Sequence, residues 1–404
     1  MDLHGSMTLG GRMARAFARI ASDHAREWRG VALPRTPEQV SRPEVVNALL
    51  ASQRDGPPPR VARVRLPGVR FESSNCWNFL IEVEWEDAAV RRDAPLPGSL
   101  YVKLPCEALG TRAFATATGF WAVECAFARR VARQVPIRVP RVYAVAERGA
   151  RFVLLLENLH EEPGTRLFTN RDMAAGTTLE RARLCLETFA ELHAAFWAAD
   201  EQRRESLLPN ALHTYLAPGG RALTRALAAA AIAPAHRAAP DLFGERHAAL
   251  CRRAVSKWDA LVDAWYAGPL TLIHGDSHLA NCFEYRREGP ARMGMIDFQG
   301  MQWCHGIRDV QYFLINSLEP ELLAAHEAEL VRGYVDALRS RGVALSAEEA
   351  WERYRAYSFQ TLMVAVVSLG LGSLTEREAT LRTVLRRAVA AVERVRFADW
   401  LERT

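Results

Sequence analysis

The stretch LTLIHGDSHLANC at residues 270–282, followed by MIDFQ at residues 295–299, is the part of the chain that decides the fold. Each piece begins with a short apolar run, which has the length of a buried strand, and then changes abruptly to polar residues. Between them, residues 282–285 have a strand-like composition and residues 286–291 have that of a turn. The sequence therefore predicts two short strands connected through a hairpin that folds back on itself.

Three polar side chains, Asp276, Asn281 and Asp297, stand where these strands end. The folded-back hairpin is expected to bring them together although they span 21 positions. Two carboxylates and one carboxamide are hard oxygen ligands, which suit Mg²⁺, and nucleotide phosphates usually complete such a site. A single aspartate at a strand end is ordinarily a turn residue, but that explanation is weaker for a long ordered set.

Three motifs carry a resemblance to a known superfamily: HGDSHLAN at residues 274–281, IDFQ at 296–299 and RDVQYFLINSL at 308–318. They resemble the catalytic loop and metal motif of aminoglycoside and choline kinase-like phosphotransferases, and look most like the ecdysteroid kinase-like branch. The resemblance implies an α+β, bilobal, protein-kinase-like fold. A small N-lobe with an antiparallel sheet and a helix would precede a larger, mainly helical C-lobe.

The same resemblance implies transfer of the γ-phosphate of ATP to a hydroxyl of a small molecule, with ATP and Mg²⁺ as cofactors. Asp276 would be the catalytic residue, which orients the acceptor hydroxyl and takes its proton. Asn281 and Asp297 would hold one or two Mg²⁺ ions that bridge the phosphates.

The patterning separates three regions: an N-terminal arm or peripheral helix at 1–35, an N-lobe at 36–157 and a C-lobe at 158–404. By the resemblance, the N-lobe would bind the nucleotide. The C-lobe would hold the catalytic loop, the metal site and the acceptor site. Helical periodicity dominates beyond residue 157. In the N-lobe, short extended runs separated by turn residues predict five strands and one helix. The strands are predicted at 61–66, 77–85, 100–104, 142–145 and 152–156, and the helix at 114–133.

If the resemblance holds, the N-lobe must supply a phosphate-binding lysine on a strand and an acid on a helix. Only two of the 52 basic residues are lysines. One of them, Lys103, lies on the polar face of the strand at 100–104 by simple alternation. Glu124 falls on the apolar stripe of the helix at 114–133, where an unpaired carboxylate would cost several kcal/mol. Lys103 is its predicted partner.

The nucleotide loop is where this chain departs from the superfamily, because the expected turn contains no glycine. Ser73, Ser74 and Asn75 could still donate hydrogen bonds to phosphate, although an ordinary polar turn is an equal alternative. Glu157 and Leu159 resemble the hinge, where backbone groups meet the adenine edge.

Three other polar residues are expected to support the site without taking part in chemistry. His193 is expected to be a buried histidine with satisfied hydrogen bonds, and His274 to be a residue that positions the loop. Asp309 is expected to cap the helix that begins there and to brace the catalytic loop.

The composition of the chain limits its expected location and partners. Seven scattered cysteines without a CxxC pair indicate free thiols in a reducing compartment, so a cytoplasmic location is expected. A net charge of +5 without basic runs argues against nucleic acid as a partner. No apolar stretch has the length of a membrane span. The sequence does not indicate an oligomeric state.

Two other functions stay open. One is a nucleotide-binding, pseudokinase-type regulator without transfer activity, which the missing glycines and Gln299 would permit. The other is a metallohydrolase that uses His274, Asp276, His278 and Asp297, although that spacing matches no known zinc pattern.

The charge of one segment bears on the identity of the acceptor, because residues 201–260 include nine basic and five acidic residues. This charge disfavours a polycationic aminoglycoside and favours a neutral or anionic hydroxylated compound, sterol-like or polyketide-like.

Overall fold

The computed structural model describes residues 9–28, 33–52, 59–71, 75–86, 96–217, 219–287, 289–372 and 378–404. The chain divides into two compact units. The N-terminal unit comprises Gly10–Arg133 and Val139–Glu162, and the C-terminal unit consists mainly of Gln134–Arg138 and Pro163–Thr404. The first contains an antiparallel sheet and the second is mostly helical, so the predicted α+β fold is confirmed.

The N-terminal unit contains helices and strands in alternating groups. They are α1 (Leu9–Trp28), α2 (Pro37–Val40), α3 (Pro43–Ala51), β1 (Val61–Arg65), β2 (Arg70–Phe71), β3 (Cys76–Trp85), β4 (Ser99–Pro105), α4 (Leu109–Thr118), α5 (Phe120–Ala126), β5 (Val142–Arg148) and β6 (Arg151–Glu157). A π-helical turn at Phe127–Val131 continues α5.

The six-stranded sheet has the order β1-β3-β4-β6-β5, with β2 added beside β3, and every pair is antiparallel. Alternation along β4 buries Leu100, Val102 and Leu104 on one face, where they pack with residues of α2 and α3. Tyr101 and Lys103 therefore point to the opposite face, as the sequence predicts.

The single helix predicted at 114–133 is wrong in its bounds. Gly119, at φ 83°, separates α4 from α5, because the left-handed conformation ends one helix before the next begins. The helical region also begins earlier, at Leu109.

The N-terminal segment is a helix that packs within its own unit. Ile20 of α1 lies in a small cluster with Ala113 and Ala150. The buried carboxylate of Asp23 accepts a hydrogen bond from the Ala150 N–H at 2.9 Å and pairs with Arg112 at 3.4 Å.

The C-terminal unit contains eleven α-helices and five short strands in its described residues. They are β7 (Arg166–Leu167), α6 (Asn170–Ala175), α7 (Leu179–Phe196), α8 (Glu201–Leu207), α9 (Gly220–Ala238), α10 (Glu245–Ser256), α11 (Trp258–Tyr266), β8 (Thr271–Ile273), β9 (Cys282–Tyr285), β10 (Arg292–Met295), β11 (Gln302–Cys304), α12 (Ile307–Ser317), α13 (Pro320–Arg339), α14 (Ala347–Gly370), α15 (Glu378–Arg394) and α16 (Phe397–Glu402).

Two small antiparallel sheets in this unit position the candidate site. β9 and β10 form the predicted hairpin, in which Cys282 faces Met295, and β7 pairs with the other edge of β9. β8 pairs with β11, which the sequence does not reveal as a strand. The hairpin and β8 together place the three motifs of the resemblance in one unit.

All seven cysteines lie within the described residues and none forms a disulfide, as expected. Among the described helices, none combines the length and the apolar composition that crossing a membrane requires.

Candidate active site

The loop that follows β8 makes a sharp turn at Gly275, whose φ is 83°. A Cβ at this position would lie 1.8 Å from the carbonyl oxygen of Gly300. Since both the left-handed conformation and this close approach exclude other residues, only glycine fits here. The backbone that presents Asp276 is therefore held directly against the segment after β10.

Asp309 in α12 holds this loop in place through hydrogen bonds to the loop backbone. Its carboxylate is fully buried and accepts hydrogen bonds from the N–H of His274 at 2.7 Å and of Gly275 at 3.0 Å. His193 lies 3.3 Å from the same carboxylate, and its other nitrogen contacts the hydroxyl of Tyr334 at 2.8 Å. His193 is thus a satisfied buried histidine and Asp309 a brace, as expected. The predicted helix cap is wrong, because the N-cap of α12 is Gly306.

His274 connects the ends of the two strands. Its Nδ1 accepts a hydrogen bond from the Asp276 N–H at 3.2 Å, so its Nε2 carries the proton and donates to the carbonyl of Ile296 at 2.8 Å. Burial lowers the pKa of this imidazole, which favours the neutral form that these bonds require. His274 therefore positions the loop and has no free nitrogen for a metal.

Asp276 keeps part of its carboxylate open, with 29% of the side chain exposed. The Asn281 amide donates to Asp276 Oδ2 at 3.0 Å and to its backbone carbonyl at 2.8 Å, and His278 lies 3.6 Å from Oδ1. Burial works to raise the pKa of this carboxyl, but His278, His274 and Arg308 outweigh it and lower the pKa below its usual value. The carboxylate is ionised at neutral pH.

Asn281 and Asp297 are neighbours through the hairpin register. The N–H of Ile296 donates to the Asn281 carbonyl at 2.9 Å, and Asp297 directly follows Ile296 in the chain. Asp297 has a left-handed backbone, with φ 61° and ψ 67°, which is uncommon for a residue other than glycine and is concentrated at functional sites. The backbone register thus places Asp297 beside Asn281, which contacts Asp276, and a joint metal-binding role of these residues stays a prediction.

The donor set fits a hard divalent cation. Asn281 uses its amide nitrogen on Asp276, so its amide oxygen remains an acceptor, and Asp297 supplies a carboxylate. Two such oxygens are the usual protein share of a Mg²⁺ site that phosphates complete. In the part of the chain that the structure describes, no three His, Cys, Asp or Glu side chains are grouped so that they could hold a metal ion.

In the N-terminal unit, Lys103 and Glu124 form the predicted ion pair, with Nζ 2.7 Å from Oε1. Both side chains are almost completely buried, with 4% and 6% exposed. A buried lysine and carboxylate are stable only when paired, so the contact fixes the position of the Lys103 ammonium on the sheet.

The segment after β6 is held by side-chain hydrogen bonds. Asn158 donates to the hydroxyl of Ser99 at 2.8 Å and accepts from the His160 N–H at 3.1 Å. The Glu157 N–H donates to the Arg141 carbonyl at 2.9 Å. A hinge role for Glu157 and Leu159 stays a prediction.

An aromatic stack that the sequence does not reveal lies beside this segment. The ring of Phe71 lies between those of Tyr101, at 5.3 Å, and His160, at 4.7 Å, and both pairs are stacked. Burial lowers the pKa of His160, so the imidazole is neutral at pH 7. Because Tyr101 shares the face of Lys103, the stack adjoins the face that carries the lysine.

Ser73 and Ser74 of the predicted nucleotide loop lie outside the described residues. Asn75 lies within them, and its carbonyl accepts a hydrogen bond from the Cys106 N–H at 3.0 Å. A phosphate-binding role for these three residues stays a prediction.

Each unit therefore holds its own part of the predicted set of residues: the lysine–glutamate pair in the N-terminal unit, and the braced aspartate loop with its asparagine and second aspartate in the C-terminal unit. The sequence profile of the ecdysteroid kinase-like family matches residues 126–345, more than half of the chain. The chain belongs to the ecdysteroid kinase-like family. No curated protein sequence matches it.

Two solved structures agree on the fold. A candidate aminoglycoside phosphotransferase from Ralstonia eutropha JMP134 aligns over 88% of this chain and 98% of its own, with 13% identity and a TM-score of 0.51. A point mutant of aminoglycoside 2′-phosphotransferase-IIIa, in its GDP complex, aligns over 89% and 98%, with 13% identity and a TM-score of 0.50. Choline kinase from Cryptosporidium parvum Iowa II also aligns, over 89% and 94%, with 10% identity and a TM-score of 0.46.

Proposed function

We propose that the chain is an ATP-dependent phosphotransferase that moves the γ-phosphate to a hydroxyl of a small molecule. The observation that carries this proposal is the contact between Asp276 and Asn281, with Asp297 beside them, on a loop that Asp309 braces. Membership of the ecdysteroid kinase-like family supports the same reaction class. The seven free thiols support a reducing, cytoplasmic location.

Asp276 orients the acceptor hydroxyl and takes its proton as the hydroxyl oxygen bonds to the γ-phosphorus and ADP departs. Its carboxylate suits this role because the pKa is lowered, so it is ionised and can accept the hydroxyl hydrogen bond. Asn281 also fixes its orientation. Most of the rate enhancement in such reactions comes from positioning and charge neutralisation.

The Asn281 amide oxygen and the Asp297 carboxylate would hold Mg²⁺. The ion, when bound, neutralises phosphate charge. In the N-terminal unit, Lys103, fixed by Glu124, would bind the α- and β-phosphates, with Ser73, Ser74 and Asn75 as further donors.

The nucleobase would meet the backbone at Glu157 and Leu159, beside the stack that Phe71 forms with Tyr101 and His160. Aromatic rings beside a hydrogen-bonding edge are a common arrangement for bases, since every base has a π-face. The GDP in the aminoglycoside 2′-phosphotransferase-IIIa complex shows that this fold also accommodates guanine nucleotides. GTP therefore belongs in the test beside ATP.

The proposal is tested with the purified chain, Mg²⁺, ATP or GTP, and a panel of hydroxylated compounds, by nucleoside diphosphate release and product mass. We expect Asp276→Asn to lower kcat by about 10³ and Asp297→Asn to abolish turnover, with circular dichroism unchanged. The exposed Asp336→Asn, outside the segment at 201–260, is the matched control and should behave as wild type.

Wild-type turnover in Asp276→Asn would contradict the proposal. Tight nucleotide binding without diphosphate release across the panel would instead favour the pseudokinase-type regulator.

A further inference from the structure

Helix α1 is connected to α4 by a buried ion pair. Asp23 and Arg112 expose only 3% and 2% of their side chains, and Oδ2 of the aspartate lies 3.4 Å from Nη2 of the arginine. The same oxygen accepts a hydrogen bond from the Ala150 N–H at 2.9 Å, in the turn between β5 and β6. Since either charge would be costly if it were buried alone, the pair holds α1, α4 and this turn together.

Charged side chains also hold the chain segment that leads into α4. Glu107 lies between β4 and α4 and accepts hydrogen bonds from Arg35 at 2.6 Å and from the buried Arg151 of β6 at 2.9 Å. Burial works to raise the pKa of Glu107, but these two arginines outweigh it and lower the pKa to about 2. Arg112 lies within electrostatic reach of Glu107 and Arg151. The first turn of α4 is therefore fixed by a network of five ionised side chains, which includes Asp23.

The position of α4 is transmitted to α5 by packing. The ring of Phe114 in α4 contacts that of Phe120 in α5, edge to face, with centroids 5.9 Å apart. Ala115 of α4 also belongs to the same buried cluster as Trp121 and Cys125 of α5. Protein interiors are close-packed, so a shift of α4 displaces the residues of α5 that it contacts.

Glu124 lies within this part of α5, directly before Cys125 and three residues after Trp121. Its hydrogen bond to Lys103 is 2.7 Å long. Such a bond is lost by about 3.6 Å, so a displacement of about 1 Å between α5 and β4 breaks the pair. The Lys103 ammonium would then lose its buried counter-charge and shift toward solvent. The position of this ammonium therefore depends on where α4 lies.

We infer that Asp23 and Arg112 are positioning residues for nucleotide binding. Their ion pair holds α4, and through it α5, at the place where the Lys103–Glu124 pair can form. Helix α1 is thus a working part of the nucleotide site, although it acts only through α4 and α5. The inference rests on the proposed function, in which Lys103 binds the phosphates.

The two lysines of the chain allow a direct test, because an N-hydroxysuccinimide ester acylates amines and peptide mass spectrometry resolves each site. In the wild type, Lys103 should react slowly, since it is buried and ion-paired. Lys257, whose ammonium donates to the Leu401 carbonyl at 2.9 Å in the C-terminal unit, is the internal reference. We expect Asp23→Asn to raise the ratio of Lys103 to Lys257 labelling about tenfold, because local opening governs the reaction of a buried group.

Nucleotide affinity is the second measurement. Asp23→Asn keeps an oxygen that can accept from the Ala150 N–H and removes only the negative charge that Arg112 requires. We expect the Kd of Mg–ATP, measured by calorimetry, to rise about tenfold, which corresponds to about 1.4 kcal/mol. In a Glu124→Gln background the lysine–glutamate pair is already broken, so Asp23→Asn should then change Kd by less than about twofold.

Two further variants separate positioning from a general loss of stability. Phe114→Ala weakens the contact between α4 and α5 and leaves no buried charge behind, so it should fold and raise both the labelling ratio and Kd about threefold. Asn47→Ala removes two hydrogen bonds between α3 and β1, to the N–H and the carbonyl of Val61, and so weakens the same unit away from α4. It should keep the wild-type labelling ratio and Kd.

The outcomes separate the two proposals. An unchanged labelling ratio or an unchanged Kd in Asp23→Asn and Phe114→Ala would overturn the inference and leave the phosphotransferase standing. Equal effects of Asn47→Ala and Asp23→Asn would overturn it as well, since they would follow from lost stability alone. If the wild type binds no nucleotide, the proposed function is wrong, and the inference about nucleotide binding falls with it whatever the labelling shows.

Discussion

Lys103 and Glu124 are 21 residues apart in the chain and 2.7 Å apart in the fold. The pairing could be predicted because strand alternation and helical periodicity each place one charged residue where it needs a partner. The same reasoning does not extend to Arg308. Its position in an unbroken polar and apolar run carries no sign that it contacts the carbonyl of Gly275.

We expect Glu124→Gln to raise KM for ATP about tenfold or more and to lower the free energy of unfolding by about 3 kcal/mol. The reason is that the Lys103 ammonium would stay buried without its counter-charge. Steady-state kinetics and urea unfolding measure the two effects. The exposed Glu82→Gln serves as control, and an unchanged KM in Glu124→Gln would exclude Lys103 from phosphate binding.

At the scale of elements, the hairpin β9–β10 and the strand β8 carry the site. Their apolar runs and turn residues are visible in the sequence. The strands that pair with them, β11 and β7, are not visible in the sequence, because they are too short to show a period of two. They nevertheless complete the two small sheets. The break of the predicted 114–133 helix at Gly119 was likewise hidden, because a single glycine is also tolerated within helices.

Gly275→Ala should destabilise the chain by about 2 kcal/mol or more and reduce turnover, since the new Cβ would overlap the Gly300 carbonyl and φ would be unfavourable. Gly333→Ala is the matched control. Its position in α13 leaves a Cβ in open space, so this change should stabilise by up to about 1 kcal/mol. Equal unfolding free energies for the two variants would show that the loop can move aside.

Helix α1 is joined to the N-terminal unit through Asp23. Removing this carboxylate leaves the buried Arg112 guanidinium and the Ala150 N–H without their acceptor. Asp23→Ala should therefore lower the free energy of unfolding by about 3 kcal/mol, measured by calorimetry against the exposed Asp259→Ala. A change below about 0.5 kcal/mol would mean that α1 contributes little to stability.

At the scale of the whole molecule, buried histidines make the fold sensitive to mild acid. Burial lowers the pKa of His213 to about 4 and also lowers the pKa values of His274 and His305. His213 donates from Nε2 to the Trp303 carbonyl at 2.7 Å and accepts two backbone N–H bonds at Nδ1, so its neutral form is required.

In the unfolded chain such histidines take up a proton near pH 6.5, whereas the folded chain resists until about pH 4 at His213. The free energy of unfolding is therefore at its full value above pH 6.5 and falls between pH 6.5 and 4. His213 alone accounts for a loss on the order of 3 kcal/mol. Urea unfolding at a series of pH values should show this loss, with a smaller slope in His213→Gln. The partly exposed His326→Gln should keep the wild-type slope.

The sequence by itself determined the class of fold, the hairpin with its three oxygen-bearing side chains, and the lysine–glutamate pair, because short-range periodicity and a buried charge's need for a partner both follow from local residue order. Only the tertiary structure decided that Arg308 contacts the Gly275 carbonyl and that Phe71, Tyr101 and His160 stack. These contacts join residues far apart in the chain, so the order of neighbouring residues does not reveal them.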